Sequence, residues 1–395
     1  MKKVLIYYRY FGKTLGGGEF LPLTVIAELQ KTCEVTLALD WTDNVDCAVE
    51  VFGIPVDLPR LKLVKVMPKR FHNNQNGVLL SFYRFRRLKQ LAKDADLCIS
   101  MANIMDFGKP AHHFLITIDL GDAEFSEYVR NPAAVDPHRR RFSLKRLLGT
   151  ALRHLLGMRT KREIIGNPEE HIYPNSRYTA DLIRNFYGAF NGEVFYPPTI
   201  FEFPSEPVQR DPLKVVYLGR VTAAKRIGDI IEIVKLARER SGADITLSIA
   251  GHLGSKTYEE KLNRLTAGMD WVSFPGKLFG TQKADFLRSG SFAVHTTRQE
   301  AFGISITEYL KAGLIPIVPD EGGACEVVDS PELSFRNNDE AADILVRLLN
   351  DPDFRERQSR RCAERAGQFT KQVYQEKQTR LLHRLVEAAG SEKKS

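Results

Sequence analysis

Hydrophobic residues along the chain fall into short apolar runs that alternate with longer segments of helical spacing. Apolar runs stand at Lys3–Tyr8 and Glu34–Leu39 in the first half, and at Leu213–Leu218 and Asp244–Gly251 in the second. Between successive runs, apolar residues recur every three or four positions, which is the spacing of one helix face. Strand, helix and strand in repeated order predict parallel sheets covered by helices. We therefore expect an α/β protein.

A proline-rich connection separates two such patterns. Pro198, Pro204, Pro207 and Pro212 stand close together, and such spacing is typical of a stiff, exposed linker. A length of 395 residues also suits two domains better than one. We predict Rossmann-like domains over 1–198 and 199–370, followed by a helix and a frayed tail over 371–395.

Composition and the start of the chain indicate a soluble protein of a reducing compartment. The chain is 43% hydrophobic and 27% charged, and no apolar run approaches the length of a membrane span. The start M-K-K-V-L-I-Y-Y-R predicts a first strand and not a signal peptide. Five cysteines are scattered without a C-x-x-C pair, which argues against structural zinc and for the cytoplasm. We expect a cytoplasmic protein without a metal site.

A net charge of +8 predicts an anionic partner, and one basic segment stands out. Residues 138–162 contain nine Lys or Arg, with leucines spaced as one apolar helix face. This helix either packs its leucines on its own domain or lies on an anionic membrane, peripherally at the inner leaflet. Nucleic-acid binding is disfavoured because no aromatic residues alternate with the arginines. The first two interpretations remain open.

The stretch 299–328 contains the densest chemistry. Glu300 precedes a short amphipathic helix and Glu308 lies inside it, while Phe302, Gly303 and Ile304 form the helix start. A helix start offers free N–H groups and a positive dipole end to a phosphate, and Gly303 has no side chain to obstruct it. The two acids are suited to accept hydrogen bonds from hydroxyl groups. The arrangement fits a polyhydroxylated molecule that also carries phosphate.

Three further sets of residues are candidates for ligand binding. Gly17 and Gly18 follow the first strand, where a mononucleotide-binding half has its glycine loop. In the second domain, Gly219 and Arg220 end a strand, and Lys225 follows five residues later. Asp119 ends the predicted strand His113–Ile118, and doubly wound sheets bind ligands at the carboxyl ends of strands.

Together these motifs resemble the retaining nucleotide-sugar glycosyltransferases of family 4, which have the GT-B fold. The resemblance is carried by Glu300-x7-Glu308, the following A-G-L-I-P-I-V, the turn Gly322-Gly323-x-x-Glu326, and Gly219-Arg220-x4-Lys225. The segment from Asn175 to the Y-P-P turn at 196–198 is similar to a branch of the family that builds lipid-linked glycans.

The resemblance implies a role for each candidate residue. Glu300 would contact sugar hydroxyls, and Glu308 the ribose, beside Phe302, Gly303 and Ile304. Gly219, Arg220 and Lys225 would hold the diphosphate, with Gly17 and Gly18 near it. Asp119 would lie at the transferred sugar, although Ile118 stands where the family usually has a histidine. The two parallel sheets would face a central cleft, and the helix of 371–395 would cross back to the first domain.

The function implied is transfer of a hexose from a UDP- or GDP-sugar to a glycan or lipid-linked acceptor, with retention of anomeric configuration. No cofactor or metal would be required. The donor's own phosphate oxygen would help to deprotonate the acceptor at the front face, so no protein nucleophile would be needed. Two alternatives stay open. A non-catalytic sugar-nucleotide sensor or scaffold need not keep the set Arg220, Lys225, Glu300 and Glu308 intact. A basic RNA-binding protein would carry an RNA module, and none is visible in the sequence.

Overall fold

The protein forms two compact units that share the chain unequally. The computed structural model describes residues 1–12, 15–41, 44–67, 78–132, 144–204 and 208–391. One unit comprises Met1–Pro197 with Tyr374–Ser395, and the other comprises Pro198–Val373. The boundary predicted between residues 198 and 199 therefore lies one residue beyond the structural division.

A parallel six-stranded sheet with the order β3-β2-β1-β4-β5-β6 forms the centre of the first unit. Its strands are β1 Lys2–Tyr8, β2 Cys33–Leu39, β3 Lys62–Lys65, β4 Leu97–Ser100, β5 His112–Phe114 and β6 His171–Tyr173. Its helices are α1 Gly17–Leu29, α2 Val45–Phe52, α3 Val78–Ala92, α4 Ala123–Arg130, α5 Leu144–Leu155, α6 Lys161–Ile165 and α7 Arg177–Tyr187. The middle strand β1 is apolar and buried along nearly its whole length because helices cover both faces of a parallel sheet.

A second parallel sheet, with the order β12-β11-β10-β7-β8-β9, forms the centre of the second unit. Its strands are β7 Lys214–Leu218, β8 Thr246–Ala250, β9 Val272–Gly276, β10 Phe292–Val294, β11 Ile315–Pro319 and β12 Ser334–Phe335. The remaining helices are α8 Ile227–Ser241, α9 Lys256–Leu265, α10 Gly280–Ser289, α11 Ile304–Lys311, α12 Gly323–Val328, α13 Asn338–Asn350, α14 Pro352–Ala366 and α15 Lys371–Ser391. Short 3-10 helices occupy Leu58–Arg60, Ala223–Lys225, Pro331–Leu333 and Gly367–Phe369.

From Tyr374 onward, α15 packs within the first unit. The Gln378 side-chain amide donates to Thr24 Oγ1 at 2.9 Å, a buried contact with α1. The Tyr374 ring packs against Phe195 at a centroid distance of 5.3 Å. No helix of the described residues is both long and apolar enough to cross a membrane.

Helix α2 begins after Asn44 and is capped by Gly53, both with positive φ. The structure corrects one prediction made from the apolar pattern. The strand predicted over His113–Ile118 is only His112–Phe114, so Asp119 lies in a loop five residues beyond it. The chain leaves the sheet there, and the Asn175 side-chain amide donates a 3.1 Å hydrogen bond to the Ile116 carbonyl.

The basic segment also differs from the single helix expected. Residues 138–143 lie outside the described part of the chain. Helix α5 ends at Leu155, and Gly157 follows with a φ of 67°, before the separate short helix α6. Four leucines of α5 are exposed: Leu147 by 58%, Leu148 by 61%, Leu152 by 42% and Leu155 by 83%. The interpretation in which this helix buries its leucines on its own domain is therefore wrong for these four.

Candidate functional site

The strand order of the second unit reverses direction between β7 and β10. Strand β8 lies on one side of β7, and β10 and β11 lie on the other, so the loops after β7 and β10 diverge at this point. Open α/β sheets bind ligands at such a switch point, at the carboxyl ends of the strands. Gly219 and Arg220 directly follow β7, and the segment from His295 to Glu300 follows β10.

Direct hydrogen bonds join these two loops. The Thr296 hydroxyl donates to the carbonyl oxygens of Lys225 and Arg226, at 3.0 and 3.2 Å. In addition, the Lys225 ammonium forms an ion pair with Glu300 Oε2. Lys225 and Glu300 were predicted to act on one ligand, and the structure brings them into contact.

Glu300 is ionised and shared between two nitrogen groups. His295 Nε2 lies 3.4 Å from Glu300 Oε2, on the same oxygen that Lys225 contacts. Burial raises the pKa of Glu300, but the adjacent His295 ring and Lys225 charge lower it further, to about 2. The His295 ring is 1% exposed, and its Nδ1 has no hydrogen-bond partner in the described part of the chain. No local sequence pattern predicted the contact between His295 and Glu300.

The second predicted acid also has a lysine partner. Glu308 is buried on α11, and its Oε1 lies 2.6 Å from the Lys283 ammonium. Lys283 in turn lies over the ring of Phe201, 4.9 Å from its centroid. Lys283 precedes Glu308 by 25 residues, and no local sequence pattern identified it.

The start of α11 requires glycine. Gly303 caps the helix with a φ of 97°, and a Cβ on it would lie 2.7 Å from Ile306 Cδ1. The first turn of the helix, beginning at Ile304, leaves backbone N–H groups without helical acceptors. Phe302, predicted as a ligand contact, is buried, and its ring packs on Phe369 at 5.5 Å. Its side chain therefore belongs to the core.

A tyrosine that sequence reasoning missed fixes α11 to β7. The buried Tyr309 hydroxyl accepts a hydrogen bond from Leu218 N–H at 2.8 Å and donates one to the Leu218 carbonyl at 3.0 Å. Leu218 directly precedes Gly219, and Tyr309 directly follows Glu308. The two predicted motifs are thus connected through the core.

Arg220 is the exposed cation of this edge. Unlike Lys225, it has no carboxylate within ion-pair distance among the residues that the structure describes. The backbone beside it is tightly packed, because a Cβ on Gly251 would lie 1.7 Å from the Gly219 carbonyl oxygen. Gly251 also has a φ of 153°, so a side chain there is excluded by both space and conformation.

The remaining predicted site residues belong to the first unit. Gly17 and Gly18 form the first turn of α1, where the Glu19 carboxylate accepts a hydrogen bond from Gly16 N–H at 2.9 Å. Burial raises the pKa of Glu19. The exposed Asp119 accepts hydrogen bonds from Gly121 N–H at 2.8 Å and the Ser126 hydroxyl at 3.4 Å. The Asp119 carboxylate therefore stabilises its own loop.

The described residues contain no group of three or more His, Cys, Asp or Glu side chains arranged to hold a metal ion. The charged groups at the candidate site of the second unit are instead two acids and three cations. These are Glu300 and Glu308 with Lys225, Lys283 and Arg220. Such a set can bind a ligand that carries both hydroxyl groups and negative charge.

Known proteins resemble both the second unit and the whole fold. Residues 199–365 match the family model "Glycosyl transferases group 1". Over 154 residues the chain is 29% identical to alpha-D-kanosaminyltransferase of Streptomyces kanamyceticus, a match that covers 38% of this chain and 39% of that enzyme.

Two solved structures extend the likeness over nearly the whole chain. Anabaena HepE in complex with UDP and glucose has a TM-score of 0.64 and 15% identity, covering 97% of this chain and 100% of that one. WaaG, a glycosyltransferase involved in lipopolysaccharide biosynthesis, has a TM-score of 0.65 and 14% identity, with 96% and 99% covered. Two parallel six-stranded sheets with flanking helices are therefore those of the GT-B fold.

Proposed function

We propose that this GT-B protein, whose second unit is a glycosyl transferases group 1 domain, transfers a sugar from a nucleoside diphosphate donor to a glycan or lipid-linked acceptor. The observation that carries the proposal is the pairing of Lys225 with Glu300 at the strand-order switch point, beside the exposed Arg220. A scaffold that only binds has no need for this set, so its presence favours an enzyme.

Arg220 and Lys225 are assigned to the donor's diphosphate, together with the backbone at Gly219. A leaving nucleoside diphosphate gains negative charge as the glycosidic bond breaks, and fixed cations stabilise that charge more in the transition state than in the ground state. Lys225 is paired with Glu300 in the structure. When a diphosphate binds, Lys225 would exchange this carboxylate for a phosphate oxygen.

That exchange would free Glu300 to accept hydrogen bonds from the hydroxyl groups of the sugar. Glu308 is assigned to the ribose, with Lys283 paired to its carboxylate. The α11 start at Gly303 and Ile304 is assigned to the donor's phosphate, through its N–H groups. Gly17, Gly18 and Asp119 keep their predicted roles at the donor and the transferred sugar.

We further propose that the reaction retains anomeric configuration and requires no metal. Arg220 and Lys225 can supply the charge neutralisation at the diphosphate that a divalent cation supplies in other enzymes. The donor's own phosphate oxygen would take the proton of the acceptor hydroxyl at the front face. UDP is the first nucleotide to test, because the HepE structure contains UDP and glucose. GDP is the second.

The acceptor side of the proposal includes a membrane surface. Helix α5 exposes Leu148 and Leu152 on a segment that is rich in Lys and Arg. Exposed leucines beside cations are typical of a helix that lies on anionic headgroups. A protein held peripherally on such a leaflet could reach the headgroup of a lipid-linked acceptor.

Thermal-shift measurements with UDP, GDP and their sugar derivatives test the donor assignment. A ligand at 100-fold its Kd stabilises a folded protein by about 2.7 kcal/mol, which is readily detected. We expect stabilisation by one of the two nucleotides, and we expect Arg220→Ala to lose this stabilisation. Arg264→Ala, which removes an exposed arginine of α9, is the control. With the responding donor, NMR of the first-formed product would then report the anomeric configuration, and inversion would contradict retention.

A further inference from the structure

The first unit contains a basic pocket away from the residues discussed so far. It has a volume of about 440 Å³ and lies where β3 ends beside α3. Its wall is formed by Lys65, Val66, Met67, Tyr83, Arg86, Arg87 and Gln90. Val66 and Met67 are buried and belong to the apolar side of the pocket. We refer to this site as the β3 pocket.

The periodicity of α3 explains why the pocket is basic. Tyr83, Arg86, Arg87 and Gln90 are spaced as neighbours on one helix face, and all four are exposed. Leu88, on the other side of the helix, is fully buried. Lys65, the last residue of β3, adds a third cation from the sheet edge.

The three cations of the β3 pocket have no anionic counterpart among the residues that the structure describes. Within the described ranges, none of Lys65, Arg86 and Arg87 lies within ion-pair distance of a carboxylate, and no acid lines the pocket. Residues 68–77, which follow Met67 outside the described ranges, include no Asp or Glu in their sequence.

Arg84 on the same helix provides an internal comparison. Its guanidinium binds the buried Asp40 carboxylate with two hydrogen bonds, at 3.0 and 2.8 Å. The chain thus neutralises the half-buried arginine of α3 and leaves Arg86 and Arg87 unneutralised beside Lys65. Three like charges around one concavity repel one another, and a bound anion would remove this cost.

We propose that the β3 pocket binds a phosphate or diphosphate group. Guanidinium groups match the geometry of phosphate oxygens, and a lysine adds a compact positive charge. Arg87 Nη1 also donates to Gln90 Oε1 at 3.4 Å, which supports Arg87 at the pocket wall. Single-stranded nucleic acid is a poorer fit, because Tyr83 is the only aromatic residue in the described wall and successive bases need several.

On the basis of the proposed function, the β3 pocket would recognise a phosphate group of the acceptor. The pocket lies in the first unit, which does not contain the glycosyl transferases group 1 domain. Two sources share this chemistry: a free phosphate compound, and a lipid that ends in a diphosphate. Both would place the phosphate in the pocket, and only the second adds an apolar chain. The acceptor class predicted is therefore one that carries a phosphate group.

Calorimetric titration of the full-length protein with inorganic pyrophosphate tests the proposal. The titration is made in a saturating concentration of whichever nucleotide, UDP or GDP, responds in the thermal-shift screen. Arg220 and Lys225 are then occupied. We expect at least tenfold weaker pyrophosphate binding in Arg86→Gln with Arg87→Gln, and a smaller loss in Lys65→Gln. Lys62→Gln is the control, since Lys62 is an exposed lysine of the same strand outside the pocket. Because Arg86 and Arg87 are exposed, their replacement should leave the unfolding free energy unchanged.

Pyrophosphate binding that is as tight in the double variant as in the wild type would overturn the proposal. Loss of binding in Arg220→Ala alone would do the same, because the donor site would then account for it. Farnesyl diphosphate distinguishes the two sources: tighter binding than pyrophosphate assigns a lipid diphosphate, and equal binding assigns a free phosphate.

If neither UDP nor GDP binds the wild type, titration without nucleotide separates the proposed function from the anion site of the β3 pocket. The proposed function then fails, while a pyrophosphate signal lost in the pocket variant and kept in Arg220→Ala still supports the anion site.

Discussion

The Tyr309 hydroxyl makes two hydrogen bonds to one residue, accepting from the N–H and donating to the carbonyl of Leu218. Both bonds are buried, and they join α11 to the end of β7 through the core. The relationship explains how Glu308 and Gly219, far apart in sequence, keep a constant separation.

Tyr309→Phe should therefore destabilise the second unit. It removes the partner of a buried N–H and a buried carbonyl, which costs on the order of 1–3 kcal/mol for each unsatisfied group. Urea unfolding measures the loss. Tyr217→Phe is the matched control, because the Tyr217 hydroxyl makes only a 3.4 Å contact with the Arg220 carbonyl. Equal stability of the two variants would contradict a special role for Tyr309.

Arg220→Ala should reduce turnover without affecting folding. Loss of a cation at the developing charge raises the barrier by about 2–4 kcal/mol, as for other groups that stabilise an oxyanion. Arg220 is exposed, so the urea midpoint should stay constant. Steady-state kinetics with the responding sugar nucleotide provides the measurement, and full activity would rule out the diphosphate assignment.

Substitution of the two acids should separate nucleotide binding from sugar transfer. Glu308→Gln should weaken binding of the free nucleoside diphosphate, whereas Glu300→Gln should chiefly reduce kcat. Lys283→Met should resemble Glu308→Gln, because Lys283 holds that carboxylate at 2.6 Å. Calorimetry with the free nucleoside diphosphate distinguishes them. A loss of binding in Glu300→Gln alone would mean that the two roles are reversed.

The low pKa of Glu300 predicts a specific dependence of stability on pH. The folded-state pKa is about 2, against an ordinary value of 4.5, because the nearby His295 and Lys225 outweigh the effect of burial. Below pH 4.5 the unfolded chain takes up a proton that folded Glu300 refuses. The stabilisation is thus complete above pH 4.5 and is lost as pH falls toward 2, at most about 3 kcal/mol in total.

Unfolding free energies measured between pH 5 and pH 3 test this prediction, since most of that pH range lies below the ordinary pKa of a glutamate. Glu300→Gln should lose less stability on acidification than the wild type. Glu260→Gln, which removes an exposed glutamate of α9, should behave as the wild type does. Parallel curves for the wild type and Glu300→Gln would contradict the low pKa.

Vesicle sedimentation tests the membrane assignment of α5. Wild-type binding should require anionic lipid and weaken with salt, because each Lys or Arg near such a surface contributes about 1 kcal/mol that ions screen. Leu148→Glu with Leu152→Glu should abolish binding. Leu265→Glu is the control, since Leu265 on α9 is also 42% exposed, as Leu152 is. A wild type that ignores anionic vesicles at low salt would favour a soluble acceptor.

The sequence predicted the α/β class and the GT-B fold because both depend on periodicity and on short motifs. It did not predict the partners of the acids. Lys283 and Glu308 are 25 residues apart, and Tyr309 and Leu218 are 91 apart, so only the folded sheet brings them together. Strand β5 was predicted too long because Leu115–Ile118 has strand-forming composition. In the structure, the Asn175 side-chain amide and not a strand donates a hydrogen bond to the Ile116 carbonyl.

The place of α15 has a consequence for synthesis. The first unit contains both ends of the described chain, with Gln378 of α15 bonded to Thr24 of α1, so the second unit is inserted within it. All residues of the inserted unit would therefore leave the ribosome before α15 does. Until α15 has emerged, the surface of α1 that receives it remains uncovered. A chaperone acting on the nascent chain would encounter that surface on α1.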